Sequence, residues 1–275
     1  MLSFTMADNQ FTSSSAPHTY DELFVPRLLQ PWGEVLVKEL KLRPGESVLD
    51  VACGPGTLSR ICAAQVGLAG RVVGVDLSPH MLAVAREKTG VPIAARITYK
   101  EASAHTLPVE TASFDAVVCQ QGLQFFPDRI AALREMKRAL RPVGRLAVAV
   151  WGPIEKCGQF HALLRAFEQA GLSAELRQEL SLPFSFPDAA ALRKIISGAG
   201  FSEVTVETRT RALRFEGGVR QVVASLYGMP LAAEILALSQ ERRAALFAAA
   251  AQELAPFLVD GAVVTEMTAN FALAS

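Results

Sequence analysis

The chain has 275 residues, of which 51% are apolar and 20% charged, and its 27 basic side chains balance its 27 acidic ones. This length and apolar fraction predict one large domain with a substantial core. The balanced charge gives no overall field that would attract nucleic acid or an anionic membrane, and no apolar run reaches the roughly 20 residues of a membrane-spanning helix. We therefore expect neither a nucleic-acid partner nor a membrane span.

The first 19 residues are predicted to form a disordered tail, because serine and threonine fill the stretch from Thr12 to Ser15. The segment has no basic stretch followed by a long apolar run, so it is not typical of a secretory signal peptide. The domain itself is expected to span residues 20–275.

The four cysteines, Cys53, Cys62, Cys119 and Cys157, form no CxxC pair. A zinc ribbon, a thioredoxin-type motif and a disulfide framework are therefore unsupported. We expect reduced, mostly buried thiols, no metal site and a cytoplasmic location.

Apolar strands alternate with amphipathic helices along the chain. After an amphipathic stretch from Tyr20 to Leu40, interrupted at Pro26 and Pro31, the predicted strands are residues 47–51, 71–75, 96–99, 114–119, 145–151, 204–215 and 262–273. The predicted helices are residues 57–66, 78–88, 128–140, 160–180, 188–199 and 219–255, the last split at Met229–Pro230.

This alternation requires crossover connections between neighbouring strands. It predicts an α/β fold: a doubly wound, mostly parallel sheet of seven strands with helices on both faces. The helical stretch 217–258 lies between the last two strands as an insertion. Residues 155–199 and 217–258 are interpreted as substrate-side or lid segments.

The most informative segment is VLDVACGPGTLS, Val48 to Ser59. A buried strand runs into Gly54-Pro55-Gly56, where glycine lets the backbone pass close to a ligand, and the helix that follows offers free N–H groups to a negative group. Asp76 ends the next strand, 22 residues after Gly54. A carboxylate at that spacing can accept hydrogen bonds from both hydroxyls of a ribose.

Two cofactor classes fit this pattern. A dinucleotide would prefer a third small residue at the position of Ser59. S-adenosylmethionine is favoured because Asp50 would repel a pyrophosphate but attract the ammonium of an amino acid.

Four segments, Val48–Gly56, Val72–Leu82, Leu107–Asp128 and Ala132–Trp151, follow one another in an order that resembles a known family. They are similar to the class I S-adenosylmethionine-dependent methyltransferases, of the small-molecule type related to the ubiquinone and menaquinone methyltransferases. The resemblance implies a Rossmann-like fold and methyl transfer from S-adenosylmethionine, with no metal.

Carried over residue by residue, the resemblance places the methionine part of the donor at the first strand, the ribose at Asp76, and the adenine near Leu77 and Met81. The full set of implied donor-binding residues is Asp50, Ala52, Gly54, Gly56, Thr57, Asp76, Leu77, Met81, Ser103, Ala104, Gln120 and Gln121.

The chain departs from the family pattern in two places. Ser103-Ala104 stands where Asp-Ala is common, so a hydroxyl replaces the carboxylate that would accept the adenine amino group. We expect this change to weaken donor binding by on the order of 1 kcal/mol. Val143 replaces one glycine of the Pro-Gly-Gly turn before the fifth strand. His105, which follows the adenine-side loop, is expected at the adenine edge or the surface.

A sulfonium methyl is already electrophilic, so the protein mainly has to align the acceptor and exclude water. Candidate catalytic residues are His161, Tyr20 and Gln120, and candidate substrate residues are Phe125, Trp151, His161 and Tyr227. We expect a small apolar or aromatic acceptor in a pocket roofed by residues 217–258, and a monomer or homodimer. The alternatives are an NAD(P)-dependent oxidoreductase on a similar fold and a cofactor-binding protein that is not a methyltransferase.

Overall fold

The computed structural model describes residues 16–88 and 94–275. Residues 1–15 of the predicted tail lie outside the described residues. Helical structure begins at Ala16, four residues before the predicted domain boundary. Residues 16–19 were predicted as part of the tail but form the first turn of this helix. The turn packs against the rest of the molecule, and Pro17 is buried.

The strands are β1 Ser47–Val51, β2 Arg71–Asp76, β3 Arg96–Glu101, β4 Phe114–Gln120, β5 Leu140–Trp151, β6 Thr205–Phe215, β7 Leu258–Val259 and β8 Ala262–Ala274. The helices are α1 Ala16–Leu23, α2 Gln30–Leu40, α3 Thr57–Val66, α4 Pro79–Glu87, α5 Arg129–Ala139, α6 Gly158–Gln169, α7 Ala174–Ser181, α8 Ala189–Gly198, α9 Gly218–Ser225, α10 Ala232–Ala237 and α11 Gln240–Leu254. A π-helical turn, Val25–Leu29, joins α1 to α2.

The strands form one sheet in the order β3-β2-β1-β4-β5-β8-β6, and the short β7 pairs with β8. The first five strands of that order are parallel to their neighbours, whereas β8 runs antiparallel to both β5 and β6. The predicted seven-stranded, mostly parallel sheet is confirmed. The two residues of β7 are an addition that is too short to leave a pattern in the sequence.

Alternate residues of each strand face opposite layers, as the pleat of a strand requires. In β1, Val48 belongs to one apolar cluster, which includes side chains of α2, α3, α6 and α11, whereas Leu49 belongs to another, which includes side chains of α5 and α8. The helices therefore cover both faces.

Several elements differ from their predicted bounds, most of them by one or two residues, and the predicted helix 219–255 is divided into α9, α10 and α11. The predicted helix 160–180 is divided into α6 and α7 by Gly171, whose φ of +63° interrupts the helical backbone. Strand β5 begins at Leu140 rather than 145, because the Arg141–Gly144 segment continues the strand through a register shift opposite β4.

Strand order fixes the position of the site. β1 lies between β2 and β4, so the helices that follow β1 and β4 leave the sheet in opposite directions at this point. Ligands of such sheets bind in the crevice that opens at the carboxyl ends of the strands there. The helix after β2 begins with Ser78 as its N-cap, whose Oγ accepts the Met81 N–H at 3.3 Å, and with Pro79 in its first turn.

Candidate functional site

A cavity of about 680 Å³ lies at the carboxyl ends of β1, β2, β3 and β4. Its volume is within the roughly 300–1,000 Å³ that small-molecule sites occupy. Its walls are the segments that follow those four strands, together with Tyr20 and Leu29 from the amino-terminal segment, residues 16–40.

Eleven of the twelve residues predicted to bind the donor line this cavity. They are Asp50, Ala52, Gly54, Thr57, Asp76, Leu77, Met81, Ser103, Ala104, Gln120 and Gln121. The exception is Gly56, at the start of α3, where an added Cβ would lie 2.3 Å from the Tyr99 hydroxyl oxygen. Gly56 is therefore needed because Tyr99 packs directly against the turn, and not because a ligand approaches it there.

The turn after β1 opens toward the cavity at Gly54. This residue has a φ of +52°, and an added Cβ would meet no atom within 4 Å. Ala52, with a φ of +58°, and Gln121, with a φ of +55°, hold the left-handed conformation that non-glycine residues rarely adopt. Both line the cavity, at the ends of adjacent strands, which is where stored backbone strain commonly marks a ligand site.

The Asp76 carboxylate is held in place by the backbone around it. The Gly54 N–H donates to one oxygen at 2.8 Å, and the Ser78 N–H donates to the other at 2.9 Å. Burial raises the pKa of this carboxyl, whereas these hydrogen bonds favour the ionised form. Because a carboxylate has about four lone-pair sites, both oxygens retain acceptor capacity for hydroxyl groups.

Asp50, the penultimate residue of β1, is almost fully buried and accepts a 2.6 Å hydrogen bond from the Ser59 hydroxyl. Burial raises its pKa to about 7, with a further increase from the Asp76 charge, whereas the Ser59 bond and the Arg60 charge lower it. An approaching cation would favour the ionised form of Asp50.

The amino-terminal segment closes one side of the cavity. The Gln120 amide donates to the Leu29 carbonyl at 2.8 Å, which attaches the π-helical turn to the end of β4. Tyr20, on α1, also lines the cavity, and burial together with the Asp76 charge raises the pKa of its phenol. A phenol in this state stays protonated at neutral pH, so Tyr20 can donate a hydrogen bond but is poorly suited to act as a base.

The structure does not bring the other candidate side chains to the cavity. His161, on α6, lies near Glu253 of α11, a carboxyl whose pKa is lowered mainly by its hydrogen bond from Arg165. Trp151 packs edge-on against Trp32 with ring centroids 6.0 Å apart, and Tyr227 packs against the apolar core. Of the predicted substrate residues, Phe125 lines the cavity.

The expected roof is also in a different place. Among the described residues, the lining includes none from 155–199 or 217–258. The insertion instead supports α1 from behind, since an added Cβ on Gly228 would lie 3.2 Å from atoms of Thr19 and Phe24. The roof is therefore the amino-terminal segment, because α11 packs on α6 and α9 packs on β6 and β8 rather than over the strand ends.

Several lining residues, among them Leu29 and Phe126, are not in the set of site residues predicted from the sequence. Leu29 reaches the cavity through packing over a separation of 91 residues from Gln120, which leaves no local pattern in the sequence. Phe126 follows Phe125 after β4, and two consecutive aromatic residues beyond a strand end could have predicted that both line the cavity.

Comparison with known proteins identifies the family. A family model described as a methyltransferase domain matches residues 49–148. The demethylmenaquinone methyltransferase of Staphylococcus aureus is 33% identical over 199 residues, which are 68% of this chain and 78% of that relative. The chain belongs to the class I S-adenosylmethionine-dependent methyltransferases.

Solved structures of other methyltransferases share its fold. Phosphoethanolamine N-methyltransferase 2 of Haemonchus contortus, solved with S-adenosyl-L-methionine, matches with a TM-score of 0.61 at 21% identity, over 100% of this chain and 60% of that one. This methyltransferase thus spans less than two thirds of that neighbour. A SAM-dependent methyltransferase of Aquifex aeolicus matches with a TM-score of 0.51 at 21% identity, over 70% of this chain and 90% of that one.

As a member of this family, the chain takes its methyl group from S-adenosylmethionine, and the oxidoreductase alternative is not favoured. The cavity agrees with this donor, because it combines a turn open at Gly54 with two carboxylates at adjacent strand ends, the buried Asp50 and the half-buried Asp76. In the described ranges, 16–88 and 94–275, no cluster of side chains suited to a metal ion is found, and no helix is long and apolar enough to cross a membrane.

Proposed function

We propose that this methyltransferase holds its donor along the carboxyl ends of β3, β2, β1 and β4 and methylates a small apolar or aromatic acceptor beside β4. Neighbouring strands of a sheet lie about 4.8 Å apart, so the lining from β3 to β4 spans roughly 14 Å. An extended nucleoside joined to an amino acid fits that length.

The roles of the lining residues follow from their position along this edge. Asp76 would accept hydrogen bonds from the ribose hydroxyls, with Leu77 and Met81 beside the adenine. Asp50 would attract the donor's ammonium, directly or through water, and Gly54 leaves room for its amino-acid end. When bound, S-adenosylmethionine supplies an electrophilic methyl group on a sulfonium.

The lining residues near the end of β4 would position the acceptor. Gln120 fixes Leu29 across the end of β4, and Leu29, Phe125 and Phe126 give that end of the cavity an apolar wall. Such a wall excludes water and holds a flat or apolar acceptor in line with the methyl–sulfur bond. With the Tyr20 phenol protonated and His161 elsewhere, the lining favours an acceptor that needs no strong base.

The observation that carries this proposal is the division of the lining into a β1–β3 side, which holds the carboxylates of Asp50 and Asp76, and a β4 side, where Leu29, Phe125 and Phe126 lie beside two glutamines and the described lining holds no carboxylate. The Staphylococcus aureus relative, whose name gives demethylmenaquinone as its substrate, supports an acceptor with an aromatic ring system.

A screen with isotopically labelled methyl donor tests the acceptor class. Quinols, phenols, fatty acids and polar amines are offered separately, and the product mass is read. We expect labelled phenolic or quinol products, with formation greatly slowed in the Asp76→Ala variant as the matched control. Methylation of polar amines alone would overturn the apolar-acceptor proposal.

We further propose a cytoplasmic monomer or homodimer. All four cysteines are free and buried, as expected for thiols kept in a reducing compartment. Light scattering of the purified chain measures its oligomeric state, and a trimer or larger assembly would contradict this part of the proposal.

A further inference from the structure

Ser103 and His105 occupy the cavity wall just beyond the end of β3. This position lies one strand further along the sheet than Asp76, and therefore on the adenine side of the proposed donor site. Ser103 stands where a carboxylate is common in the family. The hydrogen bonds around it show how a neutral side chain can serve in that place.

The first bond in this network fixes the tautomer of His105. Its Nε2 lies 3.0 Å from the Asp128 carbonyl oxygen. A carbonyl oxygen can only accept, so Nε2 must carry a proton and donate it. In the neutral imidazole, Nδ1 is then an acceptor with a free lone pair.

The second bond fixes the Ser103 hydroxyl. Its Oγ lies 3.1 Å from His105 Nδ1, so the hydroxyl proton is donated to that nitrogen. The same Oγ accepts the backbone N–H of His105 at 3.2 Å. Of the two lone pairs on the oxygen, one is therefore used and one remains. Ser103 is left able to accept a further hydrogen bond but not to donate one.

The ring of His105 is also held by packing. Its edge faces Phe126, with ring centroids 6.1 Å apart and an interplanar angle of 67°. Asp128, which supplies the carbonyl, is the N-cap of α5 and accepts the Ala131 N–H at 2.9 Å. The imidazole is thus fixed on both sides, which keeps its lone pair directed at Ser103.

We propose that His105 is a specificity-determining positioning residue, which holds Ser103 as an acceptor-only group so that the donor site selects a 6-aminopurine over a 6-oxopurine. The inference rests on the proposed placement of the nucleoside at β2 and β3. An adenine amino group can donate to the free lone pair of Ser103. A 6-oxo group would present its own lone pairs to that oxygen, and no proton would lie between them.

The test compares two ligands by calorimetric titration of the full chain: S-adenosylhomocysteine and its 6-oxo counterpart, S-inosylhomocysteine. We expect the wild-type chain to favour the adenine compound by roughly tenfold or more, because the 6-oxo group and the Ser103 oxygen would face each other without a hydrogen bond. In His105→Leu the Ser103 proton is freed to donate to a 6-oxo group. The preference is then expected to fall to about twofold or less, because the freed hydroxyl can donate to a 6-oxo group as well as accept from a 6-amino group.

Two further variants distinguish selection from a general structural effect. In His105→Asn the side-chain oxygen can take the place of Nδ1 as acceptor, so the preference should be retained. In Ser103→Ala the preference should fall as in His105→Leu. If His105→Leu does not fold, as judged by its circular dichroism spectrum, Ser103→Ala and His105→Asn decide the question.

Each outcome bears on one proposal. A wild-type chain that binds both compounds equally, or a His105→Leu or Ser103→Ala variant that keeps the wild-type preference, would overturn the role of His105. Loss of the preference in His105→Asn would also overturn it. Failure of the wild-type chain to bind S-adenosylhomocysteine would instead contradict the proposed donor site itself.

Discussion

The two halves of the cavity are built in different ways. The donor half, formed by the lining residues between 50 and 105, comes from the segments that follow three adjacent strands, β1, β2 and β3, and is held by backbone hydrogen bonds such as those to Asp76. The acceptor half, formed by residues 120–127 with Tyr20 and Leu29, joins segments about 90 residues apart through packing and the Gln120 amide. The difference suggests that donor recognition is fixed by local backbone structure, whereas acceptor recognition depends on which distant segment covers the end of β4.

The largest effect is expected in the donor half. Asp76→Ala removes a charged acceptor and should weaken S-adenosylhomocysteine binding by roughly 10- to 100-fold, equivalent to about 1.5–3 kcal/mol. Calorimetric titration measures this change. Glu101→Ala, at the exposed end of neighbouring β3, is the matched control and should bind normally. Equal affinity in the wild-type and Asp76→Ala proteins would mean that another group holds the ribose.

This contrast also explains what could be predicted from the sequence. The strand β1 and the helix α3 have the predicted bounds because their apolar periodicity and the glycine turn between them are local. Asp50 and Asp76 line the same cavity because β1 and β2 pair in parallel, so that their carboxyl ends lie at the same edge of the sheet. The lining of the cavity contains no described residue of the predicted roof, 217–258, because amphipathic helices in an insertion are compatible with several packing sites. In this chain the row of rings Tyr20, Phe24 and Phe160 places α1 over the cavity instead.

A second effect in the donor half depends on pH. Asp50 has a pKa of about 7 and must be ionised to attract an ammonium, so affinity for S-adenosylhomocysteine should rise about tenfold from pH 6 to pH 8 and then level off. The groups that act on Asp50 are Ser59, Asp76 and Arg60. Asp50→Asn removes the titrating group while Ser59 keeps an acceptor, so this variant should show a nearly flat profile. A wild-type profile that is already flat would remove Asp50 from donor binding.

The raised pKa of Asp50 also predicts the direction in which the stability of the fold changes with pH. Because the folded-state pKa of Asp50 lies above the unfolded value of about 3.9, its contribution to the free energy of unfolding is lost as pH rises from about 4 to 7. Asp50→Asn should therefore melt at a higher temperature than the wild-type protein at pH 8, with a smaller difference at pH 5. A lower melting temperature at pH 8 would contradict this assignment.

A substitution in the acceptor half is expected to weaken acceptor binding and to leave donor binding unchanged. Phe125→Ala removes part of the apolar wall and should raise the acceptor KM about fivefold, or about 1 kcal/mol, while leaving the affinity for S-adenosylhomocysteine unchanged. Steady-state kinetics with the acceptor found in the screen measure the first quantity. Phe247→Ala, on the exposed side of α11, is the control. An equal rise in KM for Phe247→Ala would restore the insertion as part of the acceptor site.

The smallest effects are expected outside both halves. His161→Ala and Tyr227→Phe should each change kcat/KM by less than about twofold, because surface or core-edge substitutions away from a site usually have small effects. A loss of two orders of magnitude in His161→Ala would show that α6 moves to the cavity during catalysis.

A crystal structure of the full chain with S-adenosylhomocysteine tests the central claim most directly. We predict that both ribose hydroxyls lie within about 3.2 Å of the Asp76 carboxylate, with the amino-acid end of the ligand beside Gly54. A nucleoside bound elsewhere, with the Asp76 carboxylate in contact with protein atoms alone, would contradict the account.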